Sequence, residues 1–371
     1  MNHGADPSDR TPLEPRARIR RGQTRKARRR NYIAVVVAVV LVAGSLAVSA
    51  TRAVNRAGQA TPTPKVGVAP ADLMMFAVQG DQPFTAIIGT STKRPPEIIA
   101  VPYDLLTTMP GSGTDSVGWA VSQSGSFGRT VVANLLGAWI PNYVSISMDE
   151  LSALITQRGG LALDLPRAVR SGGTTLGPGP VKLLGPQVAT YLEEPRGVER
   201  NYRWEKVLGA LFKKGPVPLS GSAESDNLAA ARASLAAAKG AVVGEFPSTP
   251  GDAGYRDSDP ERTSQMLADT FGIRQELPEP VTLLNGIDRP TLAQDVTSVL
   301  VPAGFRVDVY GDARGMRHLT TLIYVTNQEA VPSAMKLREA LGVGRVLLSK
   351  QQSGLSDITV IVGKDYLALG G

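Results

Sequence analysis

The chain has no cysteine and only two histidines in 371 residues. Without cysteine there are no disulfide staples, no thiolate nucleophile and no thiolate metal ligand, so its folded parts must rest on ordinary apolar cores. His3 lies in the N-terminal tail and His318 stands alone in a loop, where it reads as a surface residue. Neither a Ser-His-Asp triad nor a histidine-based metal site has the partners it needs. No phosphate loop of the Gly-x-x-x-x-Gly-Lys-Ser/Thr type occurs, and Gly111-Ser112-Gly113 and Gly177-Pro178-Gly179 read as turns. Aromatics make up 5% of the residues, and the three tryptophans, Trp119, Trp139 and Trp204, read as core or groove wall rather than stacking platforms. What remains for chemistry is arginine, aspartate and tyrosine, residue types suited to a phosphate and a divalent cation.

Charge is also missing from one long stretch. Between Arg30 and Arg52 there is none, while residues 1–30 hold ten Lys/Arg against three acids. The uncharged run 31–51, at about 1.5 Å per residue, is long enough to cross a hydrocarbon core of about 30 Å. This predicts a single transmembrane helix, with a basic cytoplasmic tail (1–30) and the remainder of the chain outside the cytoplasm. Val48-Ser49-Ala50 offers the alternative of a cleaved signal peptide, but the apolar run is longer than such a segment requires. The tail's excess of +7 equals the net charge of the whole chain, so the exported part is neutral. Nucleic-acid binding by the body therefore loses its compositional support, and the tail is expected at anionic lipid head groups of the cytoplasmic membrane.

Residues 52–70 read as a linker stiffened by Thr61-Pro62-Thr63-Pro64. Over 71–214, short apolar runs at 73–78, 86–89, 97–101, 143–146 and 161–165 predict strands, and 126–136, 148–157 and 200–213 predict helices. Interleaving of this kind points to a mixed sheet flanked by helices. Residues 215–280 read as a partly helical inter-domain region, with helices at 226–239 and 261–271 and a loop at 247–260. Over 281–366, β-branched runs at 281–285, 306–310, 321–325, 345–348 and 358–362, with helices at 291–303 and 328–341, predict a small two-layer α/β domain.

Several stretches resemble the LytR-CpsA-Psr family, which moves wall glycopolymers from a polyprenyl pyrophosphate carrier to peptidoglycan. They are Ile98-Ile-Ala-Val-Pro-Tyr-Asp104 with Met109-Pro-Gly111, Asn142-Tyr-Val-Ser-Ile-Ser-Met-Asp-Glu-Leu151 and Gly159-Gly-Leu-Ala-Leu-Asp-Leu-Pro166. Leu183-Leu-Gly-Pro-Gln-Val-Ala-Thr-Tyr-Leu192 and Arg200-Asn-Tyr-Arg-Trp-Glu-Lys-Val-Leu208 follow in order. Residues 281–366 resemble the LytR C-terminal domain that follows in actinobacterial members, from Val281-Thr-Leu-Leu-Asn-Gly286 to Asp357-Ile-Thr-Val-Ile-Val-Gly363. The resemblance implies an apolar groove for the polyprenyl tail, with arginines and aspartate-bound Mg²⁺ neutralising the pyrophosphate at its mouth. It matches Arg200 and Arg203 to the paired arginines of the closing helix and Asp104 to the aspartate of a Pro-Arg-Asp motif. Asp81, Arg94, Arg129 and Tyr103 are further candidates for the ligand, and Asp104 and Asp81 for the metal. Without the resemblance, the arginine pair reads as a solvated helix face and Asp104 as a turn cap.

The departures are specific. Pro102-Tyr103-Asp104 stands where the family has Pro-Arg-Asp. The family's Gly-x-Asp-x-Arg and Arg-Ser-Asp-Thr motifs are replaced by the single turn Gln79-Gly80-Asp81-Gln82-Pro83-Phe84-Thr85, with the loop between them deleted. Each missing charge-assisted contact is worth about 2 to 4 kcal/mol in a transition state. Two readings follow. One is a degenerate relative that binds a polyprenyl carrier, wall polymer or envelope partner. The other is an active phosphotransferase using Mg²⁺, Arg200, Arg203, Asp104 and Asp81.

Overall fold

The computed structural model describes residues 72–368 except 82, 194, 196, 216, 220–222, 316 and 350–355. The expected tail (1–30), transmembrane segment (31–51) and linker (52–70) lie outside the described residues. Among the described residues no helix is long and apolar enough to cross a membrane.

The central sheet has five strands. They are β1 (Asp72–Gln79), β2 (Phe84–Ser91), β3 (Arg94–Val101), β4 (Asn142–Ser147) and β5 (Val242–Glu245), in the order β5-β3-β2-β1-β4. β1 runs antiparallel to β2 and parallel to β4, and β5 runs parallel to β3. The six consecutive buried residues Leu73–Val78 explain the position of β1, because a strand covered on both faces has no polar side to show. Met74, Phe76 and Val78 enter one core, and Leu73, Met75 and Ala77 the other.

Helices cover both faces. α1 (Val117–Gln123) and α2 (Gly125–Leu136) pack on the second core, and α3 (Met148–Gln157), α4 (Gly185–Glu193), α5 (Val198–Lys213) and α6 (Leu228–Ala237) on the first. α3 starts with a full capping box between Ser147 and Glu150. α2 ends at Gly137 with φ +64, where a Cβ would lie 2.4 Å from the Pro278 ring. Residues 215–280 do more than connect: α6 and β5 are built into the first core and the central sheet. The stretch 247–260, expected as a loop, supplies the short strands Ser248–Pro250 and Arg256–Ser258. These join Leu105–Met109 and Gly113–Ser116 in a small four-stranded sheet.

The C-terminal sheet contains β6 (Glu279–Asn285), β7 (Phe305–Asp312), β8 (Leu322–Val325), β9 (Arg345–Leu348) and β10 (Ile358–Val362), in the order β7-β6-β10-β8-β9. α7 (Leu292–Leu300) and α8 (Val331–Leu341) pack on each other and on this sheet, closing a separate core around Val281, Leu283, Val296, Leu337 and Val360. The mixed α/β architecture agrees with the sequence. α1 and the small four-stranded sheet were not anticipated. α2 meets the outer edge of β7, where Asn134 and Val307 are both buried.

Candidate functional site

The carboxyl end of β1 turns through Gly80, Asp81 and Pro83 directly into β2, and this short turn forms one wall of a cleft of about 480 Å³. The other walls are Tyr103, Ser116, Gly118, Trp119, Ser122 and Arg200. Such a volume is in the range of small-molecule sites. Gly118 is required where α1 approaches: a Cβ there would sit 2.9 Å from the Tyr103 carbonyl oxygen, which accepts the Gly118 N–H at 2.8 Å.

Arg200 forms the floor. It is 1% exposed, its Nη2 donates to the Pro83 carbonyl at 2.7 Å, and its guanidinium lies 4.0 Å from the centre of the Tyr103 ring. Burial pushes its pKa down to about 10, with Tyr103 and Asp104 acting in the opposite sense. The Tyr103 hydroxyl accepts the Gly197 N–H at 3.3 Å, tying the ring to the start of α5. Beside Arg200 the core is filled: Phe84 stacks on Trp204 at 4.1 Å, and both are buried. Phe76 meets Phe212 edge-on under the same helix.

The other expected site residues are elsewhere. Arg203 is buried and donates to the Tyr191 carbonyl at 2.8 Å and to Glu199 at 3.2 Å, with its guanidinium over the Tyr191 ring. It is thus directed to α4, not to the cleft. The expected pairing of Arg200 with Arg203 at one mouth is not seen: Arg200 donates to Pro83, while Arg203 donates to Tyr191 and Glu199. Arg94 donates to the carbonyls of Asp269 and Thr270, closing the end of the helical segment Leu267–Phe271. Arg129 lies over the Trp139 and Tyr143 rings and pairs with Asp226 at 2.6 Å. Of the seven candidates, Asp81, Tyr103 and Arg200 share the cleft.

Asp104 is 7% exposed and does not line the cleft, and its Oδ1 makes no hydrogen bond among the described residues. Its carboxyl pKa is raised, first by burial, against the opposing effects of a backbone hydrogen bond, Arg256 and Arg200. Among the described residues no group of three or more His, Asp or Glu side chains is placed to hold a metal ion, and the cleft itself carries one carboxylate, Asp81. The residues present do not fit a protein-held Mg²⁺.

Trp119, read from the sequence as core or groove wall, is a wall of the cleft, 36% exposed, and stands between Ser116 and Ser122, whose hydroxyls bond its own backbone. One feature escaped the sequence reading. Glu224 accepts from the Gly125 and Ser126 N–H groups, the Tyr143 hydroxyl and Gln79 Nε2, so it caps α2 from a distant part of the chain. A lone acid in a low-complexity stretch carries no signal for this contact.

Comparison with known families matches residues 279–366 to the LytR_C model, described as LytR cell envelope-related transcriptional attenuator. Residues 279–366 are thus similar to a LytR_C domain. The expected C-terminal resemblance is met, beginning two residues earlier than the motif suggested. Comparison with curated proteins finds no match. Among solved structures, the chain is similar to a transcriptional regulator from Enterococcus faecalis at 20% identity, over 56% of this chain and 90% of that one, with a TM-score of 0.47. A LytR-Csp2A-Psr enzyme from Actinomyces oris is 19% identical over 56% and 96%, with a TM-score of 0.44. The LytR-CPS2A-psr family protein YwtF (TagT), solved with octaprenyl pyrophosphate lipid bound, is 17% identical over 59% and 98%, with a TM-score of 0.43.

Proposed function

We propose that this LytR_C-containing chain is a cell-envelope protein of the LytR-CpsA-Psr type that binds a wall polymer without transferring it. In this reading residues 31–51 anchor it in the cytoplasmic membrane and the body lies on the extracytoplasmic side. The LytR_C domain and the ordered motifs from Ile98 to Leu208 support the cell-envelope assignment. One observation carries the loss of transfer: the cations the family resemblance called for are committed inside the protein. Arg200 is spent on Pro83 and Tyr103, Arg203 on Tyr191 and Glu199, Arg94 on a helix end and Arg129 on Asp226. Transfer from a pyrophosphate needs preorganised charge at the departing oxygen. The packed Phe84–Trp204 core beside Arg200 favours a polymer or envelope partner over a buried polyprenyl tail.

The test is an assay of the full-length protein in detergent with a polyprenyl-pyrophosphate-linked glycopolymer, a peptidoglycan acceptor and Mg²⁺. No product is expected. The competing reading, an active phosphotransferase, draws on Arg200 and Asp81 sharing one cleft. Turnover that disappears in Arg200→Lys, a variant checked for folding by circular dichroism, would establish it.

A further inference from the structure

The cleft at the end of β1 has an unusual balance for a phosphate site. Among the described residues its solvent-facing charge is the Asp81 carboxylate, while its cation, Arg200, is 1% exposed and turned to a carbonyl and a tyrosine ring. A multiply charged anion entering here meets a carboxylate first, and like charges at close range oppose binding. The site is poor in positive charge and rich in planar and hydroxyl groups.

Trp119 is the feature that folding does not explain. A tryptophan left 36% exposed forfeits much of the apolar burial that its ring offers. Yet it is held firmly. Its backbone N–H donates to Ser116 Oγ at 3.2 Å, its carbonyl accepts from Ser122 Oγ at 2.7 Å, and Phe127 meets its ring edge-on at 6.0 Å and 82°. Ser116 and Ser122, which bond the Trp119 backbone, line the same cleft as Trp119 itself.

A fixed aromatic plane beside a carboxylate and two hydroxyls matches the chemistry of a sugar ring. One face of a pyranose is a set of C–H groups that packs on an aromatic surface, and its rim is a set of hydroxyls that donate to a carboxylate and exchange bonds with serines. We infer that the cleft binds an uncharged saccharide unit, stacked on Trp119 with its hydroxyls donating to Asp81. The inference rests on the wall-polymer reading above and names the part of such a polymer that this site takes: a sugar rather than its pyrophosphate. The cavity of about 480 Å³ has room for a short saccharide.

The test uses full-length protein in detergent and a panel of neutral tetrasaccharides built from glucose, mannose, galactose or N-acetylglucosamine, with inorganic pyrophosphate as the anionic arm. Saturation-transfer NMR is expected to show at least one saccharide bound through its ring C–H groups, and calorimetry to give its affinity. Trp119→Ala is expected to weaken binding by about tenfold and Asp81→Asn by about threefold, while Trp119→Tyr, which keeps a ring, retains most of it. Pyrophosphate is expected not to compete. Failure of the whole panel to bind, binding unchanged in Trp119→Ala, or displacement of the saccharide by pyrophosphate would each overturn the inference. Turnover in the transfer assay together with Trp119-dependent saccharide binding would sink the non-transferring reading and leave the cleft assignment standing. No turnover with no saccharide binding would do the reverse.

Discussion

The side-chain amide of Asn134 pairs with the backbone of Val307 in both directions: Nδ2 donates to the Val307 carbonyl at 2.9 Å, and Oδ1 accepts the Val307 N–H at 2.8 Å. Asn134 is 1% exposed and Val307 1%, so each bond is made out of water. The amide imitates a neighbouring strand, and it joins α2 to the outer edge of β7. Replacing Asn134 by Ala leaves a buried N–H and C=O without partners. The expected loss is about 3 kcal/mol, measured by urea unfolding of the purified protein.

Tyr103 stands where the resembled family places an arginine, and here its ring supports Arg200 while its hydroxyl accepts the Gly197 N–H. Tyr103→Phe keeps the ring and removes one hydrogen bond, for an expected cost of about 1 kcal/mol. Tyr103→Arg brings a second guanidinium to a buried one and is expected to cost more than Tyr103→Phe. Thermal unfolding of the two variants side by side gives the order, and an arginine variant more stable than the phenylalanine one would contradict the packing described.

Asp104 gives a pH dependence with a definite sign. Its folded pKa is raised by burial, so the folded state holds the proton more tightly than the unfolded chain. Its stabilising contribution is full below the ordinary carboxylate pKa and is lost as the pH rises through the raised folded value. Asp104→Asn mimics the neutral form at every pH. Its stability relative to the natural protein is therefore expected to increase from pH 4 to pH 7 in denaturant titrations; a difference independent of pH would refute the assignment.

Glu224 gathers four donors from three separate segments. Glu224→Ala uncaps α2 and strands the Tyr143 hydroxyl, with an expected cost of about 2 kcal/mol. Glu224→Gln keeps acceptor capacity on one oxygen only and should fall between the two in melting temperature.

The absence of cysteine makes membrane topology directly measurable. Single substitutions Ser8→Cys and Thr61→Cys flank the uncharged run 31–51. With an impermeant maleimide applied to intact cells, Thr61→Cys is expected to label and Ser8→Cys to label only after lysis. The opposite pattern would invert the proposed orientation.

The elements with strong periodic or β-branched signals were legible: β1, β4, α2, α3, α5 and the order of strands and helices over 279–362. α1 was not, since Gly118 and two flanking serines make Val117–Gln123 resemble a loop, and the residue that needs Gly118 is Tyr103, distant in sequence. The site was the least legible part. Spacing puts Arg200 and Arg203 near one another on a helix, but it does not say that both are buried, nor that a Pro83 carbonyl awaits one and a Tyr191 carbonyl the other. Exposure of Trp119 is likewise a property of what fails to cover it, which no local pattern records.

The closed outer edge of β7 gives the C-terminal sheet a direction. Asn134 occupies the backbone of Val307, and the Thr108 hydroxyl donates to the Asp308 carbonyl at 3.0 Å, so further strand addition is blocked on that side. The opposite edge is β9, whose Arg345 and Leu348 are exposed and whose described residues pair with β8 alone. Any chain that lengthens this sheet must join at β9, so growth of the sheet is one-sided and the α2 side serves as a stop.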